Sequence, residues 1–303
     1  MYYTWQLEVM CYNFIKHGVN PSDIHILLGY NDNQDTHNTV IYYDKIQEKY
    51  KVNIHSYKDT REDTTYIPSI YFNIVKQHYQ LYPELEKEAV FFHDSDILLT
   101  RPLDLSFTVR GDVWYLSDTN SYISYNYVIS KGEEQYNEMC KIVGIKPEIP
   151  LWNNPHSGGA QHVIKNVNYE YWDKVEKDSI ELYKYMHNNE PNYISKHEGD
   201  YPIQKWTAGM WSLLWNAWYF DHETRVDHRL NFCMATDPIS FWDKNPIYHN
   251  AGVTENDKGM FFKNMYNNSI PYNSLELSNF DSNRCSYNYV KELLEVKAQS
   301  CLL

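Results

Sequence analysis

The chain has 303 residues, which suits one large domain or two small ones and allows a sizeable core. Its 27 Lys and Arg against 40 Asp and Glu leave a net charge of −13, which counts against a protein held to nucleic acid by clustered cations. No apolar run approaches the roughly 20 residues of a membrane span, and the opening MYYTWQLEV lacks a basic leader followed by an apolar stretch. Five scattered cysteines, Cys11, Cys140, Cys233, Cys285 and Cys301, make no CxxC pair. Neither a disulfide framework nor a zinc knuckle is indicated, so a reducing, cytoplasmic setting is the simplest expectation. The 29 Tyr and 9 Trp suit a sugar site, where a ring face meets C–H groups and a polar edge meets hydroxyls, as well as they suit core packing.

In chain order, helical spacing covers residues 5–17, and Gly18 ends that helix. The apolar run 24–28, closed by Gly29, is a strand. A helix over 39–50, a strand over 52–57 and a helix over 68–82 follow, with Pro68 in the first turn of the last. Residues 89–92 (AVFF) are a continuous apolar strand, as for a strand covered on both faces. This alternation predicts an α/β fold, a mostly parallel sheet with helices on both sides. Beyond residue 100 the pattern loosens. A strand is expected at 112–116, helices at 132–143, 169–187 and 206–218, a late strand at 247–249 and a helix in the tail from 287. The stretches 147–159 and 188–204 read as loop. Without repeat or linker, one composite domain over 1–303 is expected.

The strongest local signal is Phe91-Phe92-His93-Asp94-Ser95-Asp96-Ile97-Leu98. In extended chain Asp94 and Asp96 face one way, at the end of an apolar strand where open α/β sheets bind ligands. Two adjacent carboxylates repel unless a cation neutralises them, and a hard divalent ion with oxygen ligands does so. The structural alternative is a polar strand end closed by an Asx turn.

The run AVFFHDSDILL resembles the DxD strand of nucleotide-sugar-dependent glycosyltransferases with the GT-A fold. Ile247-Tyr248-His249-Asn250-Ala251-Gly252 resembles the late H-x-x-G segment of their glycogenin-like members. The resemblance implies a Rossmann-like GT-A domain. Residues 1–118 would be its nucleotide-sugar-binding half, 119–280 its acceptor and sugar half, and 281–303 a helical tail. It implies Asp94, Asp96 and His249 as ligands of Mn2+ or Mg2+, a UDP-sugar as donor, and Lys258 or Lys263 on the phosphates. Neither lysine keeps the family's H-x-x-G-x-x-K spacing. The segment 152–161, with Asn154, Ser157, Gly158, Gly159 and Gln161, resembles the loop and strand that shape the donor pocket. Two glycines there allow close backbone approach, and mixed donors and acceptors suit hydroxyls; a plain turn entering a strand is the alternative. Ser69 and Tyr71 line the donor site by family position. Arg61 is placed to reach a phosphate or to make a surface salt bridge.

Many such enzymes carry an acid near the start of the helix that begins at Gln204-Lys205-Trp206. Here that position is Gly209, and Glu198 and Asp200 are the nearest upstream acids. Gln161, Asp200 and Glu198 are therefore the catalytic candidates, and the lack of a base slightly favours retention of configuration. The same lack is compatible with a weakened site. The acceptor is a hydroxyl on a glycan, protein or small molecule, with nucleic acid disfavoured by charge. A non-catalytic sugar-binding protein explains the aromatics but not the Asp–Asp–His set. A DxD phosphohydrolase wants Thr or Val where Leu98 stands. A glycoside hydrolase needs two carboxylates about 5–9 Å apart, but nothing supplies the rest of its site.

Overall fold

A computed structural model describes residues 1–32, 37–108, 111–197 and 199–302. Helix α1 (Tyr2–Lys16) ends with Gly18 at φ +89°, the left-handed conformation that glycine adopts without a Cβ penalty. It is followed by β1 (His25–Tyr30), α2 (His37–Tyr50), β2 (Asn53–Lys58), α3 (Ile70–Leu81) and β3 (Val90–Phe92). β1 and β2 pair in parallel, His25 opposite Asn53 and Leu27 opposite His55. Helix α3 lies hard against β1, since a Cβ at Gly29 would sit 2.8 Å from Ile70 Cδ1. The alternation predicted for the first hundred residues is therefore present.

The rest comprises β4 (Ile97–Leu99), β5 (Trp114–Asp118), α4 (Tyr125–Ser130), α5 (Glu133–Val143), α6 (Glu148–Trp152), β6 (Gly158–Ile164), α7 (Tyr169–Lys196), α8 (Ala208–Tyr219), β7 (Thr224–Val226), β8 (Phe232–Met234), α9 (Ser240–Lys244), β9 (Ile247–His249) and α10 (Cys285–Lys297). The strands form a β1-β2 pair, a sheet in the order β3-β6-β5-β7 and a sheet in the order β4-β9-β8. The expected mostly parallel sheet is corrected to a mixed α/β arrangement. β6 runs antiparallel to both β3 and β5, and β9 runs antiparallel to β4, while β5-β7 and β8-β9 are parallel.

Two further expectations are revised. β3 is half-buried along its length, because it is the edge of its sheet and has one neighbour. Helix α7 runs to Lys196, through residues expected to be irregular and through Pro191. Leu182, Met186 and Tyr193 recur at helical spacing and are all buried, so the helix keeps a core-facing stripe past the proline.

Strand β4 matters most for the site. Ile97, Leu98 and Leu99 are all buried, each contributing roughly 1.5–3 kcal/mol. β9 covers one side of it. On the other, the Asn13 amide of α1 donates to Leu99 O (3.0 Å) and accepts from Leu99 N (2.7 Å). The core around β4 draws on α1, β8, β9 and α10. A second cluster joins α5, α7 and α8 around Trp211 and Trp215, so the Trp-rich helix is core packing.

Candidate metal centre

The two aspartates lie on the short connection between β3 and β4, with Asp96 in a turn, and not on an extended strand end. Their convergence comes from strand pairing. Ile97 of β4 pairs with His249 of β9, and Asn250 N donates to Asp96 O (3.0 Å), which sets His249 beside both carboxylates. His249 Nε2 lies 3.3 Å from Asp96 Oδ1 and 3.6 Å from Asp94 Oδ2. One ligand atom from each of the three residues falls within 4.8 Å of the others. Adjacent ligands about 2.1 Å from a hard divalent cation stand about 3.0 Å apart, so the set fits such an ion with small side-chain adjustments.

The charges are arranged for a cation. Asp96 is 8% exposed, and burial opposes its charge. His249 and Lys263, whose ammonium pairs with Asp96 Oδ2, overcome that and hold its carboxyl well below the usual range. Asp94 is half open to solvent, yet the surrounding protein raises its carboxyl, an effect that His249 partly offsets. Burial likewise opposes charge on His249 and Lys263, but the aspartates raise both. His249 and Lys263 thus offset the paired carboxylates, as a divalent cation there would.

Of the other residues the sequence singled out, Tyr71 is at the site. Its hydroxyl donates to His93 O (2.7 Å) and lies 3.4 Å from Asp94 Oδ1, so α3 holds the connection that carries the aspartates. Lys263 is the lysine in contact; Lys258 is exposed and outside the cluster. Gln161 follows Ala160, which takes φ +66° where the β5-β6 register shifts. Gln161 precedes His162, which pairs with Phe92 of β3, two residues before Asp94. Its side chain is fully buried, and neither amide atom has a hydrogen-bond partner, an arrangement uncommon unless a ligand or water completes it.

The remaining candidates do structural tasks. Arg61 clamps Asp59 at 2.9 and 2.7 Å and donates to Tyr66 O, Ile67 O and Ser69 Oγ, so it and Ser69 brace the entry to α3. Asn154 accepts from Asn120 and from Asn126 N, and Ser157 is buried beneath it. At Gly158 a Cβ would collide with Ser117 O, and at Gly159 it would meet Met210 at 3.1 Å. Protein, not open space, fills the room these glycines leave. Asp200 pairs with Lys131 and Tyr193 on the surface, and Glu198 lies outside the described residues.

Sequence reasoning missed Tyr66 and Tyr122, whose hydroxyls feel the Asp94 charge and are pushed up to about 12, chiefly by burial. Tyr66 OH donates to Trp206 O and accepts from Gly209 N, and Tyr122 lies 6.4 Å from the Trp206 ring, which is 59% exposed. An exposed Trp at a helix start was the available signal. Neither a protein-family profile nor a curated protein matches this chain. Among the described residues, no helix is long and apolar enough to cross a membrane.

Proposed function

We propose that the chain is a metal-dependent glycosyltransferase that moves a hexose from a UDP-sugar to an acceptor hydroxyl, with a GT-A-like division of labour. The observation that carries this reading is the Asp94–Asp96–His249 cluster with Lys263 at its edge. Asp94, Asp96 and His249 hold Mn2+ or Mg2+, and the bound ion supplies charge stabilisation for the departing diphosphate. Lys263, paired with Asp96 Oδ2, would supply the positive charge for a phosphate oxygen once a divalent ion met the Asp96 carboxylate. Tyr71 holds the aspartate connection in register. Gln161 offers its unpartnered amide to the sugar, and Tyr122 with exposed Trp206 offers aromatic surface to donor sugar or acceptor. A slight preference for retention rests on Gly209. A Cβ there meets the Phe72 ring at 3.0 Å, which leaves no room for an acid in that place.

The test is UDP release from a panel that includes UDP-glucose and UDP-galactose, with Mn2+ or with EDTA and no acceptor. Mn2+-dependent release from one sugar is expected. No release together with no UDP binding by calorimetry overturns the proposal in favour of a sugar-binding protein.

A further inference from the structure

A second cluster of metal-ligating side chains shares no residue with the first. His25 begins β1, His55 lies one strand over in β2, and His78 lies on α3, which packs on β1. One ring nitrogen from each falls within 4.8 Å of the others. His25 Nδ1 is 2.9 Å from His78 Nε2. Two Zn2+ ligands about 2.0 Å from a tetrahedral ion stand about 3.3 Å apart, so this pair is already near coordination spacing.

The outer hydrogen bonds assign the nitrogens. His78 Nδ1 meets Tyr57 OH at 2.6 Å, which leaves Nε2 facing His25. His55 Nδ1 meets Tyr82 OH at 3.3 Å, while His55 Nε2 is buried and has no partner. Hydrogen bonding among the rings and tyrosines therefore satisfies every one of the other four nitrogens that face the cluster or its tyrosines, and leaves this one stranded. An outer hydroxyl on each of two rings is the pattern that orients metal-bound histidines. The carboxylates of Asp23 and Glu84 act on His25 from outside the cluster and offset the charge of a cation.

We infer that His25 Nδ1, His55 Nε2 and His78 Nε2 form a three-histidine site for Zn2+, with Tyr57 and Tyr82 as its outer hydrogen-bond partners. Imidazole-only ligation selects Zn2+ over the hard ions that suit the aspartate cluster. His25 is exposed, so the cluster reaches the surface on that side. Bound metal ties β1, β2 and α3 together at one point.

The inference does not depend on transferase activity, and its test uses none. The full chain carrying Asp94→Asn and Asp96→Asn, so that only the histidine cluster is intact, is stripped with chelator and titrated with Co2+ alone and then Zn2+. One equivalent of Co2+ with the intense visible bands of tetrahedral coordination is expected, displaced by Zn2+. Adding His25→Gln, an exposed position, or His55→Gln abolishes those bands, and Tyr57→Phe weakens binding by about 10–100-fold, with folding of each variant checked by circular dichroism. Absence of tetrahedral Co2+ in the double aspartate variant, or bands unchanged by His25→Gln and His55→Gln, overturns the site.

Discussion

Asp96 carries its charge in a buried place because two cations face it, and that makes it the most sensitive single residue of the aspartate cluster. Asp96→Asn removes a ligand, takes the carboxylate from Lys263 and leaves His249 with Asp94 alone. Changes outside the ligand sphere alone cost about 10–100-fold in metal affinity, so losing this ligand is expected to cost more. Calorimetry with Mn2+ and the UDP-release assay read the effect, and unchanged Mn2+ affinity in a folded variant refutes the assignment. Arg61 shows the opposite outcome. Its hydrogen bonds to Asp59 hold that carboxyl below the usual range, against some burial. The stabilisation is therefore complete above the unfolded carboxyl value near ~3.9 and is lost as pH falls from there toward the folded value. Acid unfolding of Asp59→Asn is expected to show a shallower pH dependence below about pH 4 than the parent; identical curves refute the strut. Asp94, Asp96 and His249 were legible in the sequence because ligand chemistry is carried by residue type. For Arg61 the salt bridge was among the readings, though the pair with Asp59 is buried; its bracing of α3 was not, because Tyr66 and Ile67 accept through backbone carbonyls, which residue type does not reveal. Choosing Lys263 over Lys258 required the path of the chain after β9.

At the scale of elements, the early helices and strands were legible because periodicity and punctuation agree there. The three-residue strands β3, β4, β7, β8 and β9 are shorter than the alternation that marks a strand, and of these β3, as a continuous apolar run, and β9 were read. Missing β4 put the aspartates on a strand end, when in fact a turn and cross-strand pairing bring them together. Reading 147–159 as loop made Gly158 and Gly159 look ligand-facing, when Gly158 begins β6 and a Cβ there would strike β5. Gly209 separates a missing acid from a packing need. A Cβ there lies 3.0–3.1 Å from Phe72 ring atoms and 3.2 Å from Tyr66 OH, at the contact between α3 and α8. Overpacking of this kind costs about 1–3 kcal/mol. Gly209→Ala is expected to lower the urea midpoint accordingly, and Gly209→Asp to lower it further without raising UDP release. A rise in turnover for Gly209→Asp refutes the packing account.

At the scale of the molecule, the lysine beside the aspartate cluster is placed by the packing of the two ends of the chain. Lys263 reaches Asp96 across 167 residues. It follows Phe261, whose N–H donates to Ser286 Oγ of α10 (2.7 Å) and whose ring meets Trp5 of α1 and Tyr289 of α10. Glu8 ties these ends. It is fully buried in α1 and accepts from Tyr272 OH (2.8 Å), Ser300 Oγ (2.7 Å) and Cys301 N (2.8 Å), with Lys49 at 3.8 Å. Glu8→Ala takes the acceptor from three donors, of which Tyr272 OH is buried and keeps only the 3.5 Å contact to Trp5 O, and a buried donor left unpaired costs about 1–3 kcal/mol. The expected outcome is a drop in unfolding free energy of about 1–3 kcal/mol, with faster amide exchange in α10 and in the segment that carries Lys263. Because His249 and the aspartates are held by β4-β9 pairing while Lys263 is held by α1 and α10, the loss divides unevenly. Mn2+ affinity measured below the unfolding transition falls little, and affinity for UDP with Mn2+ falls more. Equal losses in both, with exchange in α10 unchanged, contradict the assembly described and place the support of Lys263 in the segment between β9 and α10 itself.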